Sequence, residues 1–257
     1  IHSSIAALAL EANVSEPTVN RFCRSMDTRG FPDFKLHLAQ SLANGTPYVN
    51  RNVNEDDSVE SYTGKIFESA MATLDHVRHS LDKSAINRAV DLLTQAKKIA
   101  FFGLGSSAAV AHDAMNKFFR FNVPVVYSDD IVLQRMSCMN CSDGDVVVLI
   151  SHTGRTKNLV ELAQLAREND AMVIALTSAG TPLAREATLA ITLDVPEDTD
   201  IYMPMVSRLA QLTVIDVLAT GFTLRRGAKF RDNLKRVKEA LKESRFDKQL
   251  LNLSDDR

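Results

Sequence analysis

The sequence predicts an α/β protein: a five-stranded parallel αβα sandwich of flavodoxin-like type, preceded by a small all-α domain. Three observations lead there. Five short, continuously apolar runs recur after residue 98, and unbroken apolarity marks strands covered on both faces. Segments of helical spacing separate them, which is the rhythm of strand–helix–strand crossovers. Residues 45–57 contain Gly, Pro, Asn and the acidic run Glu55-Asp56-Asp57, a linker composition that sets off what precedes it.

In chain order, Ser3 and Ser4 are placed to cap a first helix carrying Ile5, Leu8 and Ala9 on one face. Asn13 suits the left-handed backbone of a tight turn. Ser15 is a good cap, and Pro17 fits the first turn of a second helix. That helix turns Val19, Phe22, Cys23 and Met26 inward and shows Thr18, Asn20, Arg21 and Arg24 outward. Gly30 closes the unit, and a further helix starts at Phe31 and runs through Leu42. Ala9, the turn Asn13-Val14-Ser15 and Val19 have helix-turn-helix spacing. Arg21 and Arg24 are side chains that reach phosphates and guanine edges. Residues 1–44 are therefore expected to bind DNA, with 45–57 as linker.

Ser58 caps a helix through Ile66, Phe67, Ala70 and Leu74, and another follows from Ser84 to Ala96. The expected strands are Lys98–Phe102, Val123–Tyr127, Val146–Ile150, Met172–Leu176 and Ala190–Leu193. The intervening helices are Ala108–Phe121, Ile131–Cys138, Thr156–Glu168, Pro182–Ala187 and Ser207–Thr223. This body fills residues 58–225. Residues 226–257 form a charged helix near Phe230 to Glu243 and a tail.

Two loops carry the chemistry: Gly103-Leu104-Gly105-Ser106-Ser107 and Ser151-His152-Thr153-Gly154-Arg155-Thr156. Each joins a strand end to a helix start, where free N–H groups and the positive end of the helix dipole favour an anion. Ligands of such sheets bind beyond the carboxyl ends of the strands. Together the loops read as one phosphate site, suited to a sugar phosphate. Ser107 and Ser151 are expected as direct ligands, with Ser106, Thr153 and Thr156 completing the shell. Gly154 and Thr156 present backbone N–H groups. Arg155 and Lys157 flank the site, and each is open between a ligand carboxylate and solvent. His152 is equally open.

The chain has 257 residues and a net charge of −2, so bulk charge makes it no polyanion binder and any DNA contact needs a local basic surface. The cysteines are Cys23, Cys138 and Cys141. The pair Cys138-x-x-Cys141 lacks the second pair or nearby histidines that zinc needs, so buried, reduced thiols in a cytoplasmic protein are expected, with no metal. No apolar run approaches the ~18 residues of a membrane span. The chain opens on Ile1 rather than Met, so a longer natural N-terminus is expected.

The pattern Gly103-x-Gly105-x-Ser107, with Ser151-x-Thr153-Gly154-x-Thr156 after a later strand, resembles the sugar isomerase (SIS) domain. Val14-Ser15-x-x-Thr18-Val19-x-Arg21-Phe22-Cys23-Arg24, followed by Gly30-Phe31-x-x-Phe34-Lys35, resembles the helix-turn-helix half of RpiR-type transcriptional regulators. Two departures stand out: the family more often has Ser where Thr153 stands, and its leading helix would mostly precede Ile1. The resemblance implies a repressor that binds a palindromic operator as a homodimer through Ser15, Thr18, Asn20, Arg21, Arg24 and Lys35. It needs no cofactor. Within the family the likeness is to regulators of central glucose metabolism. It implies 2-keto-3-deoxy-6-phosphogluconate, of the Entner–Doudoroff pathway, as the effector that releases DNA. The rival is a phosphosugar isomerase using the same pocket. Its base would be sought among His112, Asp129, Glu161 and Glu197, which form no recognisable motif. A sugar-phosphate module with no DNA role is the other rival, against which the N-terminal pattern speaks.

Overall fold

The computed structural model describes residues 4–26, 28–35, 53–197 and 203–240, which divide into two compact units. The expected course of the third helix to Leu42, most of the linker and the C-terminal tail lie outside the described residues.

In the smaller unit, α1 (Ile5–Glu11) is capped by Ser4, whose hydroxyl accepts from Ala7 N at 3.1 Å. Asn13 takes the left-handed conformation expected of it (φ 53°), and Val14 N reaches back to Ala9 O at 2.9 Å. Helix α2 (Glu16–Ser25) follows, then α3, described over residues 31–35. Ala9, Val19, Cys23 and Phe31 form the core. Phe22 and Met26, expected inside, are 54% and 57% exposed. Adjacent helical residues point about 100° apart, so this narrow core takes Cys23 and leaves Phe22 outside. The Phe22 ring instead meets Phe34 edge-on at 6.0 Å. Met26 is the C-cap, beyond the last turn.

Helix α4 (Val59–Ser80) leads from the smaller unit to the larger. The larger unit then reads α5 (Lys83–Gln95), β1 (Lys98–Gly103), α6 (Ser106–Phe118), a 3-10 turn (Phe119–Phe121) and β2 (Val125–Tyr127). After these come α7 (Ile131–Met139), β3 (Asp145–Ile150), α8 (Lys157–Glu168), β4 (Met172–Thr177), α9 (Pro182–Glu186), β5 (Leu189–Thr192) and α10 (Val206–Ala240). The five strands are all parallel, in the order β2-β1-β3-β4-β5. Successive side chains of a strand go to opposite faces. Ile99, Phe101, Val146, Val148, Ile150, Ile174 and Leu176 accordingly join one core with α5, α6 and α10. Ala100, Phe102, Val147, Leu149, Val173 and Ala175 join a second core with α7, α8 and α9. This is the expected sandwich.

Boundaries differ in three elements. Helix α6 starts at Ser106 rather than Ala108 and gives way to the 3-10 turn after Phe118. The edge strand β2 starts two residues late, because Pro124 has no N–H to give the ladder. Helix α10 runs through the expected gap after Thr223 with a single break at Gly227 (φ 77°, ψ −164°).

Candidate functional site

The chain moves outward from β1 to β2, then returns to lay β3 on the other side of β1. Loops leaving β1 and β3 therefore diverge, opening a crevice at the topological switch point of the sheet. Register places both loops at one level. Gly103 pairs with Ile150, and Ile150 with Leu176, so β1, β3 and β4 reach the same edge about 4.8 Å apart. The two hydroxyl-rich loops thus start from adjacent strand ends, at the mouth of the crevice.

The β1 loop is tight. A Cβ on Gly103 would come within 2.6 Å of Ser107 O, so only glycine lets α6 begin so close to the strand. Gly105 is the N-cap of α6 (φ 57°, ψ −128°) and has no side chain to cap with. Ser106 is half-buried. Ser107 is buried, and its hydroxyl makes no hydrogen bond to another described residue. Beyond β3, the Ser151 hydroxyl is buried and accepts from Gly154 N at 3.1 Å, and Thr153 Oγ1 accepts from Arg155 N at 3.5 Å. Thr156 is the N-cap of α8, yet its side chain caps nothing.

The contrast with the other helices of this unit is informative. Asp82 caps α5, Asp130 caps α7 and Thr181 caps α9, each through its side chain. Helix α10 receives the carboxylate of Glu197, which accepts from Met205 N, Val206 N and Ser207 N. Among the described helices of this unit, only α6 and α8 start without a side-chain cap; Ser107 N and Ala108 N close on Leu104 O and Gly105 O, and Leu159 N on Thr156 O, which leaves Ser106 N, Lys157 N and Asn158 N for an anion.

Sequence reading missed the loop after β4. Gly154 is buried at φ 58°, where a Cβ would collide with the hydroxyls of Thr177 and Thr181. Ser178 N and Oγ both donate to His152 O, at 3.1 and 2.8 Å. The loop after β3 is thus braced from β4. Thr181-Pro182 is an N-cap signature, but nothing local in the sequence says that it packs on Gly154. Gln134, fully buried on α7, was also missed. Its Nε2 donates to Ser128 O at 2.8 Å and Gly103 O at 3.4 Å, joining the ends of β2 and β1. Arg155 and Lys157 are exposed beside the loop.

Of the residues weighed for isomerase chemistry, Glu197 and Glu161 are committed elsewhere. Glu197 caps α10, Glu161 pairs with Arg135 at 2.8 Å, and the His112 ring lies 4.9 Å from Tyr127. Asp129 is exposed beside Tyr127, whose phenol is pushed up by burial first and by Asp129 second. Burial also pushes the Cys138 thiol up to about 12. Cys141 lies past the end of α7. Among the described residues no His, Cys, Asp and Glu cluster could hold a metal, and no helix is long and apolar enough to cross a membrane. A groove of about 660 Å3 between α5 and α10 is lined by Ile86, Val90, Val217 and Leu224 among others; it is mostly apolar, and no residue of the two loops lines it.

In the smaller unit, Arg21 and Arg24 are exposed on α2, as expected. Ser15 stands at the N-cap but gives α2 no side-chain hydrogen bond; its hydroxyl pairs with Thr18 Oγ1 at 2.9 Å, which also accepts from Arg21 Nη2 at 3.3 Å. Asn20 is half-buried, and its Oδ1 accepts from Phe31 N at 3.0 Å. The Lys35 ammonium sits 5.8 Å from the Phe31 ring.

Comparison with known proteins agrees with this layout. The SIS domain family matches residues 92–221, and the helix-turn-helix domain of the rpiR family matches residues 1–45. The chain is 58% identical to the HTH-type transcriptional regulator HexR of Pseudomonas aeruginosa, over 95% of this chain and 85% of that protein. It is 38% identical to the bifunctional protein glk of Paraburkholderia xenovorans, over 93% of this chain but 38% of that longer protein. Among solved structures, the Vibrio vulnificus NanR protein complexed with ManNAc-6P shares the fold. The TM-score is 0.66 at 24% identity, covering 95% of this chain and 88% of that one.

Proposed function

The chain belongs to the rpiR family of helix-turn-helix transcriptional regulators with a SIS domain, and on that premise we propose that it is a non-catalytic repressor released from DNA by 2-keto-3-deoxy-6-phosphogluconate. The observation that carries the effector site is the pair of uncapped helix starts, α6 and α8, at adjacent strand ends. Ser107 and Ser151 bind the phosphate, and Ser106, Thr153, Gly154 and Thr156 complete its shell. The Vibrio vulnificus neighbour, complexed with ManNAc-6P, supports that ligand class. The likeness to HexR supports a role in central glucose metabolism and the Entner–Doudoroff pathway. Arg155 and Lys157 place positive charge near the ligand carboxylate.

The smaller unit, residues 1–44, reads the operator, with 45–57 as linker and 58–225 as effector domain. Arg21 and Arg24 contact DNA, supported by Ser15, Thr18, Asn20 and Lys35. A cytoplasmic homodimer presents two such units to a palindrome.

Thermal shift and operator release test this together. A charge-assisted hydrogen bond is worth about 1.5–3 kcal/mol, so Ser107→Ala or Ser151→Ala weakens effector binding roughly ten- to a hundred-fold. The variants still bind operator but no longer leave it at effector concentrations that release the parent. Unchanged release in both would remove the site assignment. Turnover of sugar phosphates by the purified protein would overturn the non-catalytic reading.

A further inference from the structure

The anion loop is pinned at two points. Its His152 carbonyl is held by Ser178 N and Oγ, and Gly154 is wedged under Thr177 and Thr181 with its carbonyl taken by Leu183 N at 3.1 Å. The ring of His152 takes no part in either contact. It reaches away, placing Nε2 3.0 Å from the carbonyl oxygen of Glu197. A ring nitrogen facing a carbonyl is the protonated one, so His152 donates.

The Glu197 side chain runs the other way. One carboxylate oxygen accepts from Met205 N and Val206 N at 2.7 and 2.8 Å, and the other from Ser207 N at 3.2 Å and from the Ser207 hydroxyl. A carboxylate on a helix N-terminus is favoured by the dipole and by charge-assisted bonds. Glu197 is therefore tied to the anion loop by its backbone and to α10 by its side chain. Beyond Ser207, α10 sends Ala210, Val214, Ile215, Leu218 and Phe222 into the core, so its first turn does not move alone.

The loop meanwhile satisfies some of its own N–H groups, Gly154 N on Ser151 Oγ and Arg155 N on Thr153 Oγ1. A phosphate takes those N–H groups over, and the segment between has to resettle. With the His152 carbonyl and Gly154 pinned, the His152 ring is the outlet. We propose that His152 and Glu197 are positioning residues that relay occupancy of the anion loop to the N-terminus of α10. This rests on the effector reading above.

Hydrogen exchange on the full-length protein, with and without 2-keto-3-deoxy-6-phosphogluconate, tests it. In the parent, amides of residues 151–157 and of 205–208 change protection together. In His152→Ala the loop still responds and the α10 amides do not; His152→Gln, which keeps an N–H donor, restores them. The effector concentration for half-release of operator rises about tenfold in His152→Ala, while the calorimetric Kd stays within about threefold. Ser207→Ala, which spares the loop and removes one donor, gives a smaller loss of the same kind. An α10 response that survives His152→Ala, or is absent from the parent while the loop responds, overturns the relay. A parent loop with no response sinks the effector reading itself, and the relay with it.

Discussion

Gly154 and Ser107 show how differently two residues of the proposed site are built. Gly154 has a left-handed φ of 58° and no room for a Cβ beneath Thr177 and Thr181. Gly154→Ala combines backbone strain with a steric clash, so it costs more than about 1 kcal/mol of stability and distorts the loop; thermal melting and effector titration fall together. The Ser107 hydroxyl, buried and unpartnered among the described residues, supports nothing in the fold. Ser107→Ala leaves the stability of the free protein within about 1 kcal/mol, because it removes a hydroxyl with no partner to strand, while weakening effector binding, which separates a ligand contact from a structural one. Gln134 belongs with Gly154. Its amide orientation follows from donating to two carbonyls, and Oε1 is left without a hydrogen bond. Gln134→Leu strips the Ser128 and Gly103 carbonyls of a partner, costing about 1–3 kcal/mol by denaturant unfolding. The hydroxyls at 107 and 151 were legible in the sequence because small polar residues after an apolar run are a local signal. Gln134, Thr177 and Ser178 were not, because their roles depend on which strand ends become neighbours.

Elements were legible where a cap or a continuous apolar run announced them. Asn13 took its positive φ, Ser4 capped α1, and four of the five strands fell within one residue of expectation at each end, with β2 two residues late. Reading failed where one residue's chemistry outweighed the pattern, as Pro124 did for β2. The start of α4 is another such place. Asp57 reads as the last acid of a linker, yet its carboxylate accepts from Lys65 Nζ at 2.7 and 2.6 Å, from Ser61 Oγ and from Asn54 N. The Lys65 ammonium leads in holding its pKa down to about 2, against an ordinary 3.8. A carboxyl depressed in the folded state stabilises it above the unfolded pKa, and that contribution is lost as pH falls through the folded one. The start of α4 therefore loosens between about pH 4 and pH 2, not at neutral pH. A carboxyl-detected NMR titration of Asp57 with a midpoint near 2, moved back toward 3.8 in Lys65→Met, is the expected result.

For the whole molecule, the order and spacing of strands made the sandwich legible and the loops pointed to a candidate site at its edge; what spacing could not supply is how the proposed effector and operator would compete. If one effector-bound state disfavours DNA, linkage makes the penalty mutual: the factor by which effector weakens operator binding equals the factor by which operator weakens effector binding. Effector Kd measured with and without saturating operator, set beside operator Kd with and without effector, closes that cycle, and unequal factors would mean that release proceeds through more than two states or a change of oligomer. The DNA side can be sorted by salt. Each lysine or arginine that neutralises a phosphate adds about 0.9 to the slope of log K against log salt. Arg21 and Arg24 both stand exposed on α2, but Arg21 is oriented by Thr18, in turn bonded to Ser15. An oriented guanidinium is suited to a base edge, a mobile one to the backbone. Arg24→Ala should therefore flatten the salt slope by about 0.9 and weaken all sequences alike, whereas Arg21→Ala should relax preference at one operator position by about 1–3 kcal/mol. Equal slopes and equal losses in the two variants would place both arginines on phosphates and move base reading to another part of the unit.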